Sequence, residues 1–341
     1  MPDASTLVLL GAVVVLALAF DFINGYHDTA IANATTVSTR VMTPRQAIIM
    51  AAILNFTGAL ISHNVAKTIS SGLIHTTFVP HYVVIATLIA AITWNLITWY
   101  YGIPSSSSHA LIGGLLGASI ACTAGLDVVQ WGGVVEKVLI PLVTSPVVGF
   151  LLGFVVMKLL FLLLSKASPR FVNRWFSKLQ IVSAAFMAFF HGTNDAQKSM
   201  GIITFAMIGT GLLPLNAPVP VWVMLLCATA MAFGTAAGGW RIIKTMGVSM
   251  IKLQPIHGFA AQTTAAATIA AASFIGAPVS TTHITSTAIM GVGASKRLSA
   301  VRWMVATNIL WAWVVTIPVT ALMGGLVVLG IKGVLILLHV G

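Results

Sequence analysis

Ten apolar stretches, each long enough to cross the roughly 30 Å hydrocarbon core of a bilayer at about 1.5 Å per helical residue, take up most of the chain. They run over about 5–39, 46–63, 82–101, 104–124, 134–165, 179–212, 221–239, 256–275, 278–294 and 304–339. Because a helix satisfies its own backbone groups in lipid, the pattern predicts an all-α polytopic membrane protein of about ten spans. Only 7% of the 341 residues are charged, against about 25% in soluble domains, which excludes a soluble globule. The longest stretches exceed one crossing and contain Asp, Asn, Gly or Pro, so they read as broken or kinked helices.

The first Lys or Arg is Arg40. The basic region that opens a cleavable secretory signal is therefore missing, and residues 5–20 are expected to stay as membrane helix. Cys122 and Cys227 sit alone in apolar runs and offer neither a disulfide framework nor a metal-knuckle spacing. The net charge of +11 is dispersed among short loops. It reads as a topology signal and an attraction to anionic membrane lipid, and no nucleic-acid partner is expected.

The chain repeats itself. Gly102-Ile103-Pro104-Ser105-Ser106-Ser107-Ser108-His109 recurs as Gly276-Ala277-Pro278-Val279-Ser280-Thr281-Thr282-His283, an offset of 174 residues. Asn24-Gly25-Tyr26-His27-Asp28 matches His191-Gly192-Thr193-Asn194-Asp195 at an offset of 167, and Ala66-Lys67-Thr68 weakly matches Ile243-Lys244-Thr245. Three ordered matches argue for duplication. The copies divide the chain into a first repeat over 1–164, a polar linker over 165–178 carrying Lys166, Arg170, Arg174 and Lys178, and a second repeat over 179–341.

Loop charges orient the copies. Arg40 and Arg45 follow the first span, whereas the equivalent loop, 213–220, holds no basic residue. Asp127 stands alone among the charges of 118–131, where the second copy has Lys296, Arg297 and Arg302. Basic loops favour the cytoplasm, so equivalent loops fall on opposite sides and the repeats are inverted. Both termini are then expected outside and the 165–178 linker in the cytoplasm, with Lys67 and Lys137 placed against the rule near the outer face.

The acidic residues are Asp3, Asp21, Asp28, Asp127, Glu136 and Asp195. A carboxylate inside the membrane costs about 2.5–3.5 kcal/mol on insertion scales, and Asp28 and Asp195 incur that cost at the same place in each copy. One reading has each Asp capping a helix that restarts after a glycine break; another has them binding a cation or proton at the midplane, where inverted-repeat transporters build their sites. In the Ser-rich runs, Gly and Pro end one helix and Ser or Thr caps the next. These are helical hairpins whose N-termini favour an anion. Hydroxyls of Ser105, Ser106, Ser107, Ser108, Ser280, Thr281 and Thr282 surround them, although Ser and Thr also satisfy backbone groups in ordinary membrane helices. Together the elements would hold a tetrahedral oxyanion beside a cation. A dianion entering a cell at −100 mV meets roughly 4.6 kcal/mol of opposing potential, which a cotransported cation must offset. His27, His109, His191 and His283 cluster in the same motifs as candidate proton-linked or packing groups. A dedicated transition-metal site from His27, Asp28, His191 and Asp195 is the weaker reading, and no cofactor is expected. Lys198 would either balance Asp195, help attract the anion, or snorkel to an interface.

These motifs resemble the inorganic phosphate transporter (PiT) family. The likeness rests on Phe20 to Ala30, on His191 to Lys198 and on the two Pro-x-Ser-[Ser/Thr]-[Ser/Thr]-His runs, and it covers essentially the whole chain. The resemblance implies a homodimeric symporter of inorganic phosphate with a cation. It further implies essential Asp28 and Asp195, with sodium possible at both, and substrate contacts from the Ser/Thr hairpins and from Asn24 and Asn194. His27, His191 and Gln262 are expected near the coupling ion. Ile31 replaces an Asn common in the family, although Asn33 lies nearby, and sodium-coupled members commonly carry Glu where this chain has Lys67 and Gln262. The expected coupling therefore favours a proton, or a metal-phosphate complex, over sodium. The other readings are a sulfate or other tetrahedral-oxyanion permease and a passive anion channel. A membrane hydrolase using Ser106 or Ser108 with His109 is disfavoured, because adjacent helical residues do not face each other; the chain is not expected to be an enzyme.

Overall fold

The computed structural model describes residues 4–75 and 79–337. Asp3 and the last residues of the final apolar stretch, which bear on the expectation of external termini, lie outside the described residues. Twelve principal helices follow one another: α1 (Ala4–Ser38), α2 (Pro44–Ala59), α3 (Asn64–Ser71), α4 (His81–Tyr101), α5 (Ser107–Thr123), α6 (Trp131–Leu163), α7 (Pro169–Gly209), α8 (Val221–Ala237), α9 (Trp240–Lys244, continuing into a π-helical turn at Thr245–Ser249), α10 (Pro255–Phe274), α11 (Thr281–Lys296) and α12 (Trp303–Leu337). Apart from one antiparallel bridge between Ile74 and Val129, the described residues hold no β-structure. Local chemistry sets the helix starts. Thr43 caps α2 in a reciprocal pair with Gln46, with Pro44 in the first turn. Ser168 caps α7 ahead of Pro169, so the polar segment 165–178 is already helical from Pro169 onward. Such caps supply acceptors for N–H groups that have no partner within the helix.

Among the described residues four helices, α1, α4, α6 and α12, are each long and apolar enough to cross a membrane. The pairs α2–α3 and α8–α9, each bent by 64°, bring the number to as many as six. At 35 residues, α1 is about 52 Å long and must tilt or project beyond the hydrocarbon. The outer faces are apolar: Val143, Val147, Leu151 and Val155 on α6, and Trp311, Val314, Leu322 and Leu326 on α12, are all exposed. Patches of this size mark contact with lipid or another protein.

Helix packing follows one rule. Helix α5 lies on α12 and α11 on α6; α1 lies on α8 and α7 on α2; α4 packs with α5 and α10 with α11; α3 packs on α7 and α9 on α1. Exchanging each helix for the one six places along maps this pattern onto itself. Most of these partners come from opposite halves of the chain, so the two halves interlock.

The structure corrects one expectation. Both Asp-bearing runs are continuous helices, unbroken through Asn24–Asp28 in α1 and His191–Asp195 in α7. Gly25 and Gly192 do not break these helices; they allow a neighbour to approach. A methyl at Gly25 would fall on the Met231 carbonyl of α8, and one at Gly192 on the Asn55 carbonyl of α2. The breaks lie instead between α2 and α3 and between α8 and α9. In α6, which stays continuous, a π-helical turn over Val135–Leu139 precedes Pro141, whose missing N–H removes a regular helical bond.

The short helices α3 and α9 each grip the hairpin of the other half. Thr68 Oγ1 donates to the Gly276 carbonyl at 2.8 Å and Thr245 Oγ1 to the Gly102 carbonyl at 2.8 Å. Both glycines end their helices with positive φ, +73° and +67°, a region where glycine alone is unstrained. Thr68→Val and Thr245→Val are each expected to lower stability by about 1 kcal/mol and to add in the double variant. Unfolding midpoints of the purified variants check this; an unchanged midpoint would mean that the hairpins are held by other contacts.

Candidate functional site

Helical spacing places the polar groups of α1 on one face, because Asp21, Asn24, His27 and Asp28 stand at i, i+3, i+6 and i+7. His191, Asn194, Asp195 and Lys198 do the same on α7. All eight are at most 2% exposed. The two helices touch, so the carboxylates of both halves come together: one ligand atom each from Asp28, His191 and Asp195 lie within 4.8 Å of one another.

Each carboxylate is held differently. Asp195 Oδ1 takes the Lys198 ammonium at 2.6 Å, while its Oδ2 accepts from Asn24 Nδ2 at 3.4 Å and from Thr281 Oγ1 at 3.3 Å, with His191 Nε2 at 3.4 Å. Asp28 Oδ1 accepts from His27 Nδ1 at 2.8 Å and from Thr282 Oγ1 at 3.3 Å. Thr281 and Thr282 open α11, so the second hairpin is bonded directly to both acids. The first hairpin reaches the same place through Thr98, which accepts from Ser105 Oγ at 2.8 Å and lies 3.3 Å from His27 Nε2.

Of the expected substrate groups, several already have partners within the protein. Ser106 and Ser280 cap α5 and α11, accepting from His109 N and His283 N, each at 3.2 Å. Ser108 Oγ donates to the Val279 carbonyl at 3.0 Å, tying one hairpin to the other. Asn194 Nδ2 donates to Ser273 Oγ at 2.9 Å and to the Ala277 carbonyl at 3.3 Å. Other buried polar atoms have no hydrogen-bond partner among the described residues: Ser107 Oγ, Asn24 Oδ1, Asn194 Oδ1 and His109 Nδ1. Buried groups of this kind normally find water, an ion or a ligand.

The histidines separate into two pairs. His27 and His191 contact the carboxylates, whereas the His109 and His283 rings face each other at 4.8 Å. His283 also stacks on Trp313 at 3.8 Å, and Trp313 Nε1 donates to the Pro104 carbonyl of the first hairpin at 3.0 Å. Gln262 stands in another network, donating to the Ala32 carbonyl at 2.9 Å and accepting from Ser183 Oγ at 3.2 Å. It therefore bridges α10, α1 and α7 rather than pointing at an acid. Sequence reasoning did not single out Asn55, whose Oδ1 lies 3.1 Å from His191 Nδ1 and whose Nδ2 donates to Thr235 at 2.9 Å. An Asn in the apolar run of α2 was the signal for it. Nothing in the sequence marked Thr98 or Trp313.

Comparison with known proteins gives consistent results. A family model described as "Phosphate transporter family" matches residues 24–324. A Bacillus subtilis (strain 168) protein named "Probable low-affinity inorganic phosphate transporter" is 48% identical over 94% of this chain and 96% of its own length. A Rhizobium meliloti (strain 1021) protein of the same name is 47% identical over 93% of this chain and 95% of its own length. Among solved structures, "The sodium-dependent phosphate transporter" superposes with a TM-score of 0.86 at 26% identity, covering 95% of this chain and 99% of that one.

Proposed function

This chain belongs to the phosphate transporter family, and on that footing we propose that it is a secondary active symporter that imports inorganic phosphate together with a cation. The observation that carries this reading is the meeting of both halves at one buried point. Thr281 and Thr282, at the start of α11, bond Asp195 and Asp28, while Asn24 of α1 bonds Asp195 of α7. Hydroxyl donors, a positive helix end and two carboxylates suit an oxyanion that arrives with a cation.

We assign the anion to Ser105, Ser106, Ser107, Ser108, Ser280, Thr281, Thr282, Asn24 and Asn194, of which Ser107 has an unpartnered hydroxyl to donate, while the unpartnered Oδ1 atoms of Asn24 and Asn194 can accept from the P–OH of protonated phosphate. The cation belongs to Asp28 and Asp195 with His27 and His191, and Gln262 supports the α1 backbone beside them. Phosphate is preferred to sulfate because protonated phosphate can donate a hydrogen bond to a carboxylate, whereas sulfate at neutral pH only accepts. A proton, or a metal-phosphate complex taken up with a proton, is the preferred coupling species, since Lys67 and Gln262 add no carboxylate for sodium.

The architecture follows from the same reading: ten spans in two inverted repeats over 1–164 and 179–341, joined on the cytoplasmic side at 165–178, with external termini. It is supported by the self-mapping helix packing and by the alternation of basic loops. As the family resemblance implies, the functional unit is a homodimer in the cell membrane.

The experiment is uptake of labelled phosphate into liposomes holding the purified protein, with proton and sodium gradients imposed separately. Accumulation driven by a cation gradient is expected, with sulfate a poor competitor. Flux indifferent to both gradients would mean a passive channel, and equal competition by sulfate a general oxyanion permease.

A further inference from the structure

The two carboxylates occupy equivalent positions in the repeat, but only one of them has a lysine beside it. Three positions beyond Asp28 stands Ile31, and three beyond Asp195 stands Lys198; both are buried, each 1% exposed. The i, i+3 spacing lays each side chain over its Asp on the helix face. Lys198 Nζ lies 2.6 Å from Asp195 Oδ1. Among the described residues no lysine or arginine pairs with Asp28, whose ion-pair partner is His27 at 2.8 Å. A buried ammonium is strongly penalised unless a counter-charge is in contact, and Asp195 supplies that charge.

We propose that Lys198 is a built-in cation: it fills the cation place at Asp195, leaves the one mobile place at Asp28, and so limits the protein to one coupling cation per phosphate. The inference rests on the symporter reading above and makes it more specific. A free cation approaching Asp195 would meet the ammonium on the Oδ1 side at short range and low dielectric, where like charges repel strongly. Among the described residues no ammonium is in contact with Asp28. Its Oδ1 accepts from His27 and Thr282, and Asp195 and His191 stand close enough to share an ion with it.

The third buried carboxylate, Asp21, takes the Ser199 hydroxyl at 2.6 Å and is not one of the three grouped residues. The second copy has Ala188 in its place. The Lys198–Asp195 pair makes this molecule asymmetric: a duplicated frame, one carboxylate with a resident positive charge, and one that must load a cation in each cycle.

The test uses the full-length protein in liposomes. Phosphate accumulation at zero net flux, measured against graded imposed cation gradients, gives the number of cations moved per phosphate, and one is expected. Wild-type uptake should be unchanged when external choline is replaced by sodium. Lys198→Gln opens the second place, so its uptake in choline should fall at least tenfold and recover severalfold with sodium, while Lys198→Arg, which keeps the positive charge, should gain nothing from sodium at whatever rate it transports. Two or more cations per phosphate in the wild type would overturn the proposal, and would point to Asp21 as the additional carrier. So would a Lys198→Gln protein that transports at the wild-type rate with one cation and no sodium requirement. If Lys198→Gln is inactive in every medium, the wild-type stoichiometry alone decides. A wild-type protein that takes up no phosphate would instead remove the symporter reading itself.

Discussion

Asp28→Asn is expected to abolish phosphate uptake and leave the protein folded, whereas Asp195→Asn is expected to abolish uptake and also destabilise the fold. The difference lies in what each change leaves behind. At Asp28 the neighbours are His27 and Thr282, both able to bond an amide. At Asp195 the change leaves the Lys198 ammonium, 1% exposed, without its counter-charge. Removing one member of a buried pair costs about 3–5 kcal/mol. Adding Lys198→Gln to Asp195→Asn removes the stranded charge and should return most of the lost stability without restoring transport. Thermal unfolding in detergent gives the stability order, and labelled phosphate gives the flux. If both single variants transport normally, the carboxylates have no part in the mechanism.

The second large effect concerns glycine. Gly192→Ala puts a methyl where the Asn55 carbonyl lies, and Gly25→Ala puts one where the Met231 carbonyl lies. The obstacle is backbone in each case, so no side chain can swing aside and the helix pair must separate. Overpacking of this kind typically costs about 1–3 kcal/mol, and the upper end is expected here. Gly192→Ala should also reduce uptake at least tenfold, about 1.4 kcal/mol, because it parts His191 from Asn55, now 3.1 Å apart. Gly330→Ala is the control, since nothing lies within 4 Å of a methyl built there, and alanine is the better helix former. Equal behaviour of Gly330→Ala and Gly192→Ala would remove close approach as the reason for the glycine.

Much of this arrangement was legible in the chain. Period and composition locate the helices, because lipid enforces apolar runs, and the starts of α5 and α11 follow from Ser106 and Ser280 as caps. The partnership of Asp28, Asp195 and the hairpins was readable because duplication writes the same motif twice. The role of Gly25 was not, because a glycine that ends a helix and one that admits a neighbour look alike until the neighbour is known. Gln262 was expected near the cation from the family resemblance alone, and in the structure its amide donates to the Ala32 carbonyl, a partner that no local pattern names. Asn55, Thr98 and Trp313 matter only through contacts with residues far away in sequence, and no local pattern records them.

The grip of α9 on the first hairpin has a consequence for how the molecule is made. Gly102 leaves the ribosome 143 residues ahead of the threonine that fastens it, and Pro104 leaves 209 ahead of Trp313. A nascent chain therefore enters the bilayer with its polar hairpin loose and the face of α5 that meets α12 uncovered. Until translation ends, that unfinished intermediate depends on the insertion machinery or on chaperoning within the membrane. Premature termination anywhere before α12 should accordingly yield a product marked for degradation rather than a smaller working carrier.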